Sequence, residues 1–436
     1  MIIHVVKEGE TISYLANYYE IPVNTLIQDN GITNPDNLAL GQTIVIIYPE
    51  TVYKVKEGDS LKSIADYFQV TINHILRNNP VISDRGGIYE GENIVINYDT
   101  DKLRMIVISG YAYPYIDMKI LKKTLPYLTY LTVFNYRITI DGDIIDIDDK
   151  AVIEMAKLYG VAPMMFLSTL TSHGQGDLEV AKSILNNIEL QEKLFENTIN
   201  KLKEKGYHGV NLYLQYLAPE TKQLVEQFLE RFSKRLREEK FRILAAVSPK
   251  TRIEGTEISF EQMDYSNIAA QVDALLFLSY DWGYSYGPPA SVTPVNILKG
   301  LFNIFINQVT SNKLQIGLPV IGYDWELPYI PGVTRANAIS TATAIEIAAS
   351  AETTIHYNDI TEAPYFFYNK SIHNLHIVWF KDARSIDAIS GFVNELDLQG
   401  LAIWNTMQFF NQMWFILNNK YEIEKVYGDN LTPDMN

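Results

Sequence analysis

The first hundred residues carry one pattern twice, and this repeat limits the possible folds more than any other feature of the chain. Val6-Lys7-Glu8-Gly9-Glu10-Thr11 is answered by Val55-Lys56-Glu57-Gly58-Asp59-Ser60, and Ile12-Ser13-Tyr14-Leu15-Ala16 by Leu61-Lys62-Ser63-Ile64-Ala65, at a constant offset of 49. Asp29-Asn30 is answered by Asn78-Asn79. The closing segments 41–46 (GQTIVI) and 91–96 (GENIVI) are offset by 50, so the second copy has one extra residue in its last loop. Each copy predicts a strand, a glycine turn, two helices, a second glycine turn and a strand. Gly9 and Gly58 allow the tight turn, and Thr11 and Ser60 stand where a helix needs an N-cap.

The string V-K-x-G-[ED]-[TS]-[IL]-x-x-[IL]-A, followed by Asn and then G-[QE]-x-[IL]-x-[IV], resembles the LysM domain in its βααβ form, with residues 1–49 as one module and 50–98 as the next. That resemblance implies binding of N-acetylglucosamine chains, as in peptidoglycan and chitin. The implied groove lies between the Gly-turn loop and the loop after the second helix. Carried onto this chain, its residues are Gly9, Thr11 and Asn30 in the first module and Gly58, Ser60 and Asn79 in the second. Taken singly, each is also what a turn or a cap demands.

Beyond the polar join Asp99-Thr100-Asp101, strand-like runs alternate with helical patterns. Strands are expected at 103–109, 128–136, 162–168, 210–217, 242–248, 274–280, 314–318 and 400–404. Patterned helices include 151–158, 191–205, 220–239, 295–309 and 382–396. Eight such units across residues 103–426 predict an α/β chain folded as a (β/α)₈ TIM barrel. Residues 322–381 read as a small insertion in the seventh unit, with more than one helix and strands near 366–368 and 377–380. Chemistry in such a barrel sits at the carboxyl ends of the strands. This directs attention to Tyr111, Tyr113, Asn135, Ser168, Gln215, Pro249, Lys250, Tyr280, Asp281, Trp282, Tyr323, Asp324, Trp325 and Trp404. Aromatic residues make up 12% of the chain, 29 of them Tyr, and aromatic faces suit the apolar C–H faces of sugar rings.

The segments 206–217 (GYHGVNLYLQYL), 279–289 (SYDWGYSYGPP), 322–327 (GYDWEL) and 378–385 (VWFKDARS) resemble glycoside hydrolase family 18. They are most similar to a bacterial branch in which tandem LysM modules precede the barrel and whose enzymes cut N-acetylglucosamine linkages in spore-cortex peptidoglycan. The resemblance implies a signature D-x-x-D-x-D-x-E on the fourth strand. Its Glu protonates the leaving oxygen, and the preceding Asp orients the substrate's N-acetyl group for attack on the anomeric carbon, outside the usual two-carboxylate scheme. Here those positions are His208, Asn211, Tyr213 and Gln215, none of them a carboxylate. Asn211 is a common variant in the branch. Gln215 has nearly the shape of Glu and can donate a hydrogen bond, but it has no proton to give. Tyr213 puts a bulky phenol where the orienting anion belongs. Tyr280 and Asp281, the family's contacts to the N-acetyl group and sugar, are retained, as are Trp282 and the subsite floor Trp404. The acidic run 141–149 (DGDIIDIDD) reads as a turn with solvated carboxylates, and Glu220 as a first-turn helix residue.

Charge and composition narrow the partners. Lys plus Arg total 36 against 52 Asp plus Glu, a net charge of −16, which argues against nucleic acid because displacing phosphate counterions needs a basic face. Cys is absent and His numbers 7, so no metal site or cofactor is expected. No run is apolar enough for a membrane partner, and the start MIIHVVKEGE does not read as an export signal. The expected location is a spore coat or cortex surface reached without export, and otherwise the cytoplasm. The expected function is binding of N-acetylglucosamine-containing cell-wall glycan through the LysM modules and a hydrolase-derived cleft, with little or no hydrolysis. Two alternatives stay open: an active hydrolase using a displaced acid, and a structural spore-layer protein with a vestigial cleft.

Overall fold

The computed structural model describes residues 1–171, 176–214, 220–249, 251–254, 257–260, 263–278, 284–371, 374–428 and 431. Gln215, Lys250, Tyr280, Asp281 and Trp282 lie outside the described residues.

Eight parallel strands close into a barrel: Arg104–Ala112, Tyr130–Ile138, Ala162–Ser168, Gly209–Tyr213, Arg242–Val247, Ala274–Phe277, Leu314–Pro319 and Gly400–Trp404. The last strand pairs with the first, Leu401 opposite Ile108, which leaves no free edge. All eight fall where the pattern of apolar runs places them. Strands enclosed on both faces carry continuous apolar runs, and Ala162–Ser168 is buried at every position. The surrounding helices are ended by local chemistry. The helix Ile188–Lys205 is capped by the Asn187 side chain, which accepts from the amides of Glu189 and Leu190, and stops at Gly206 with φ +72°. The barrel interior is packed with Met164, Phe166, Leu244, Ala246, Leu276 and Ala402.

Each N-terminal copy folds as the repeat predicts. In the first, Ile2–Val5 pairs with Thr43–Ile46 around the helices Ile12–Tyr18 and Val23–Asn30. In the second, Pro49–Lys54 pairs with Asn93–Tyr98 around Leu61–Phe68 and Ile72–Asn78. The second copy adds a short helix, Pro80–Arg85, in its last loop. The first module buries its own core of Val6, Leu15, Leu26 and Ile44, whereas Val55, Ile75, Ile94 and Ile96 of the second are continuous with the barrel's outer core layer.

Both modules dock on the helix Asn411–Lys420. Arg77 is buried and donates from Nε to Asn418 Oδ1 at 3.0 Å and from Nη2 to Glu422 at 3.3 Å. Asn418 returns a bond from Nδ2 to Asn78 Oδ1 at 2.7 Å. Gln412 Nε2 donates to Asn30 Oδ1 at 3.0 Å and to the Thr43 carbonyl at 2.6 Å. We expect Asn418→Ala to cost about 1–3 kcal/mol in urea unfolding, because it strands Arg77 Nε and Asn78 Oδ1 in a dry seam. An unchanged midpoint would mean that the seam carries no stability.

The seventh-unit insertion is a five-stranded antiparallel sheet in the order Asn337–Ile339, Gly322–Leu327, Asn374–Trp379, Ala363–Ser371, His356–Asn358. One helix, Thr341–Ser350, crosses it, where the sequence suggested more than one. The expectation failed because these residues pair as strands across the sheet rather than continuing a helical face. Its core of Ala344, Phe366 and Val378 takes in Ala39 from the first module. Gly41 is needed there: its φ is +84°, and an added Cβ would sit 2.1 Å from the Ile355 carbonyl oxygen. Trp325 is fully buried, with Nε1 donating to the Gly287 carbonyl at 2.9 Å, so it is a packing residue.

The segment VWFKDARS serves this joint. Asp382 caps the helix Ala383–Glu395 and pairs with Arg384, whose Nη2 reaches the Gly41 carbonyl at 3.5 Å. Lys381 is fully buried, donates to the Thr293 carbonyl at 3.1 Å, and is pushed down to about 7 by burial. A lysine with a lowered folded pKa loses stability as the pH falls toward that value, and the unfolded lysine gives up its proton only near pH 10.5. Stability should therefore rise from pH 7 to 10. Lys381→Met should raise Tm most at or below pH 7, with the gain shrinking toward pH 10. A gain independent of pH would show that Lys381 imposes no protonation cost.

Candidate functional site

Side chains that leave the carboxyl ends of the barrel strands form a ring of aromatics around the mouth. Trp404, at the end of the eighth strand, is half-buried, with ring centroids 5.5 Å from Tyr111, 6.3 Å from Tyr113 and 5.3 Å from Phe134. Phe166 continues the row, 4.7 Å from Phe134, and Tyr213 stacks on Phe166 at 6.0 Å with planes 28° apart. On the other flank Tyr113 stacks on the exposed Tyr115 at 5.2 Å. The alternation of strand residues brings these rings to one place. Residues two apart share a face, so Tyr111 and Tyr113, and likewise Asn211 and Tyr213, address the same side.

Polar groups beneath the rings bond mostly to one another, with one buried acceptor left over. Asn211 is buried in the barrel interior and donates from Nδ2 to the Tyr111 hydroxyl at 2.8 Å and to Thr132 Oγ1 at 3.2 Å. Its Oδ1 is buried with no hydrogen-bond partner among the described residues. Ser168 donates to Asn135 Oδ1 at 2.7 Å, and the Tyr213 hydroxyl lies 3.4 Å from Ser248 Oγ. Burial pushes the Tyr111 hydroxyl well above its ordinary range, against the pull of the Asn211 hydrogen bond, and raises Tyr113 as well. Both phenols therefore stay neutral near pH 7. The side chains of this row and beneath it, Tyr111, Tyr113, Asn135, Ser168, Asn211, Tyr213 and Trp404, are aromatic, amide and hydroxyl groups. A surface of this kind can stack on and hydrogen-bond to a neutral sugar.

Tyr213 and Trp404 thus converge on one mouth, with Asn211 below them. Phe134 joins that mouth, and the buried Phe166 packs beneath it, without either having been singled out from the sequence. The signal was available, since each sits on the same strand face as a neighbouring inward residue near a strand end. In the N-terminal modules, Gly9 and Gly58 have φ of +80° and +82° with open space around them. Thr11 caps the first helix by accepting from the Tyr14 amide at 3.1 Å, and Ser60 forms a reciprocal capping box with Ser63. Asn30 and Asn79 turn inward instead. Asn30 accepts from the Val45 amide and donates to the Leu26 and Val45 carbonyls, while Asn79 makes the same bonds to Val95 and Ile75. Those two amides hold the closing strand to the second helix.

In the acidic run 141–149, Asp141, Asp143, Asp146 and Asp148 are exposed, as expected of a solvated turn, and Asp149 is buried. Asp143 meets Lys193 Nζ at 3.0 Å and Asp146 meets Lys201 Nζ at 3.0 Å. Asp149 is buried and accepts from the hydroxyls of Tyr136 and Tyr207 and from Lys205. Glu220 is exposed and precedes the helix Lys222–Glu238. Among the described residues no group of three or more His, Cys, Asp or Glu could hold a metal ion. No helix among them is long and apolar enough to cross a membrane.

Residues 174–408 match the family described as glycosyl hydrolases family 18, and residues 4–46 and 53–97 each match the LysM domain. The chain is 32% identical to the cortical fragment-lytic enzyme of Bacillus subtilis (strain 168), covering 98% of this chain and 99% of that protein. Its fold matches the spore cortex-lytic enzyme SleL of Bacillus megaterium QM B1551 with a TM-score of 0.80 at 30% identity, covering 97% of this chain and 98% of that one. The Bacillus cereus SleL structure matches equally well, with a TM-score of 0.80 at 25% identity over 98% and 99% of the two chains.

If Trp404 is the floor on which a sugar stacks, Trp404→Ala should weaken binding of N-acetylglucosamine oligomers to the full chain by at least about 1 kcal/mol, measured by titration calorimetry. Unchanged affinity would leave Trp404 a packing residue.

Proposed function

The chain belongs to glycosyl hydrolases family 18 and carries two LysM domains, and from that premise we propose that it binds the N-acetylglucosamine-containing glycan of spore peptidoglycan with little or no hydrolysis. The carrying observation is the pairing of an aromatic mouth with a fourth strand that lacks its carboxylates. Trp404, Tyr113 and Phe134 offer stacking surface at the carboxyl end of the barrel. The family's general-acid position is Gln215, and the position of the orienting Asp is Tyr213.

A general acid typically contributes 10²–10⁴-fold, and an amide cannot perform that step at any accessible pH. Tyr213 stacks on Phe166 and points its hydroxyl toward Ser248, filling space beside the subsite with a ring. The Gln215 amide keeps the chemical capacity to hydrogen-bond a glycosidic oxygen or hydroxyl. The family resemblance assigns Tyr280 and Asp281 to the N-acetyl group and the sugar, with Trp282 next to them in sequence. In the modules, the turns at Gly9 and Gly58 with the caps Thr11 and Ser60 shape the glycan-facing loops. The relatives act on spore cortex by name, which supports a location at the spore coat or cortex surface.

One observation favours a second reading, hydrolysis by a displaced acid: the relatives with near-complete coverage are named as lytic enzymes. The two readings separate in one assay. The unmodified protein should release no shortened oligomers from cortical fragments or chitin oligomers above the enzyme-free background, by mass spectrometry. Gln215→Glu alone should recover little, because the neighbouring Asp also raises and shares the acid's proton. Tyr213→Asp with Gln215→Glu together should recover measurable turnover. Rapid release by the unmodified chain would establish the second reading.

A further inference from the structure

Resting on the glycan reading above, we infer that the seam between the first LysM module and the barrel is a second, composite saccharide-binding cleft that takes an N-acetylated sugar unit of the same strand. The cleft encloses about 120 Å³ and is open to solvent along one side. One wall is the loop after the module's second helix, with Ile32 and Asn34, and the opposite wall is the insertion's helix, with Ala342 and Glu346. The floor is Gln408 and Phe410, from the segment that follows the last barrel strand.

Three features make this a built site. First, its walls are fixed to each other. Asn411 Nδ2 donates to the Gln28 carbonyl at 2.9 Å, Thr33 Oγ1 donates to Glu346 Oε1 at 3.0 Å, and the Ile355 amide donates to the Leu40 carbonyl at 2.8 Å. Gly31 lies so close that an added Cβ would fall 2.6 Å from the Asn411 amide group. A ligand entering such a cleft pays little to order it. Second, the lining matches one ligand chemistry. Amides and hydroxyls surround an apolar patch of Ile32, Ile345 and Phe410, with Glu346 the one carboxylate and no Lys or Arg among the lining residues. That set offers donors and acceptors for hydroxyls and an acetamido group and a surface for a methyl or ring face, and it offers nothing for a phosphate. A single carboxylate is also a poor cation site.

Third, the cleft opens on the chemically informative end of the barrel. Val320 directly follows the seventh strand, and Gln408 lies four residues beyond Trp404. A strand resting on Trp404 and one lying in the cleft therefore occupy the same end of the molecule. The implied LysM groove pairs the loop after the second helix with the Gly-turn loop. Here that loop also faces the barrel, and none of Gly9, Glu10 or Thr11 is among the residues lining the cleft. The barrel thus completes a site that the module cannot form alone.

The test uses the full-length protein and soluble N-acetylglucosamine oligomers of two and six units, by titration calorimetry. Ala342→Trp places an indole in the cleft, and Gln408→Ala removes a floor amide with little risk to folding. We expect each to weaken binding of the six-unit oligomer at least fivefold, with binding of the two-unit oligomer changed less than twofold. Trp404→Ala should weaken both. Wild-type affinity for the six-unit oligomer in both variants overturns the composite cleft and leaves the glycan reading standing, the seam then being a solvent-filled joint. Absence of binding by the unmodified protein removes the glycan reading and the cleft with it. If Ala342→Trp unfolds the chain, Gln408→Ala decides alone.

Discussion

One helix of ten residues, Asn411–Lys420 (NQMWFILNNK), fixes the relation of every other part. Eight of its residues, Gln412 to Asn419, are buried. Most barrel helices show one face to water, but this one meets the barrel on one side and a module on each of two others. Among its apolar residues, Trp414 stacks on Tyr127 of the barrel at 5.1 Å and Phe415 packs on Tyr98 of the second module at 5.1 Å. Its amides reach outward: Asn411 and Gln412 to the first module, Asn418 to the second, and Asn419 to Thr100 in the join between module and barrel. Amides suit this task because each carries donor and acceptor capacity without a charge to desolvate. Arg77, the one buried cation in the seam, is compensated by two side chains and a carbonyl, because a lone buried charge would cost more than the seam could return.

The same helix ties the modules to the chemistry. It begins seven residues after Trp404, and the intervening segment lines both the barrel mouth and the cleft beside the first module. Flexibly tethered modules raise local concentration by an amount set by linker length. Docked modules present their loops at a fixed place and angle to the mouth, so a strand that fits one is positioned for the other, and one that does not fit gains nothing. The signature VWFKDARS belongs to this arrangement. Asp382 and Arg384 build the joint between insertion, helix and first module.

The barrel and the two modules were legible because their signals are local. Gly9 and Gly58 at an offset of 49, Thr11 and Ser60 as caps, and eight continuous apolar runs each follow from short-range rules. The helix Asn411–Lys420 was not legible. Asn at three of its positions lowers helix propensity, and a helix packed on nearly all sides has no amphipathic stripe to detect. Asn30 and Asn79 read as groove residues because they close a recurring motif. Only the fold shows their side chains turned onto the backbone of Val45 and Val95. Trp325 gave no sign of whether it met ligand or core, since its partner, the Gly287 carbonyl, lies 38 residues away in sequence. At the mouth, Trp404 was found from a strand end and Tyr213 from the family signature, but the contribution of Phe134 and Phe166 depends on which face each strand turns inward.

Under the proposed reading, the absence of carboxylates from the signature positions has a physical logic beyond its effect on catalysis. A hydrolase must hold charged groups in a partly dry site and spend binding energy on distorting the sugar toward the transition state. Both demands weaken its hold on the undistorted chain. A cleft with Gln215 and Tyr213 in those positions carries fewer charges to desolvate when a neutral sugar arrives, and Tyr213 adds ring surface to the row that runs through Phe166 and Phe134 to Trp404. The chain's net charge of −16 works in the same direction, because two further carboxylates at the mouth would sit in a field already negative. Substitutions that remove the acid and its neighbour are therefore the same ones that favour retention of an intact strand, and retention is what two modules locked against the barrel would serve.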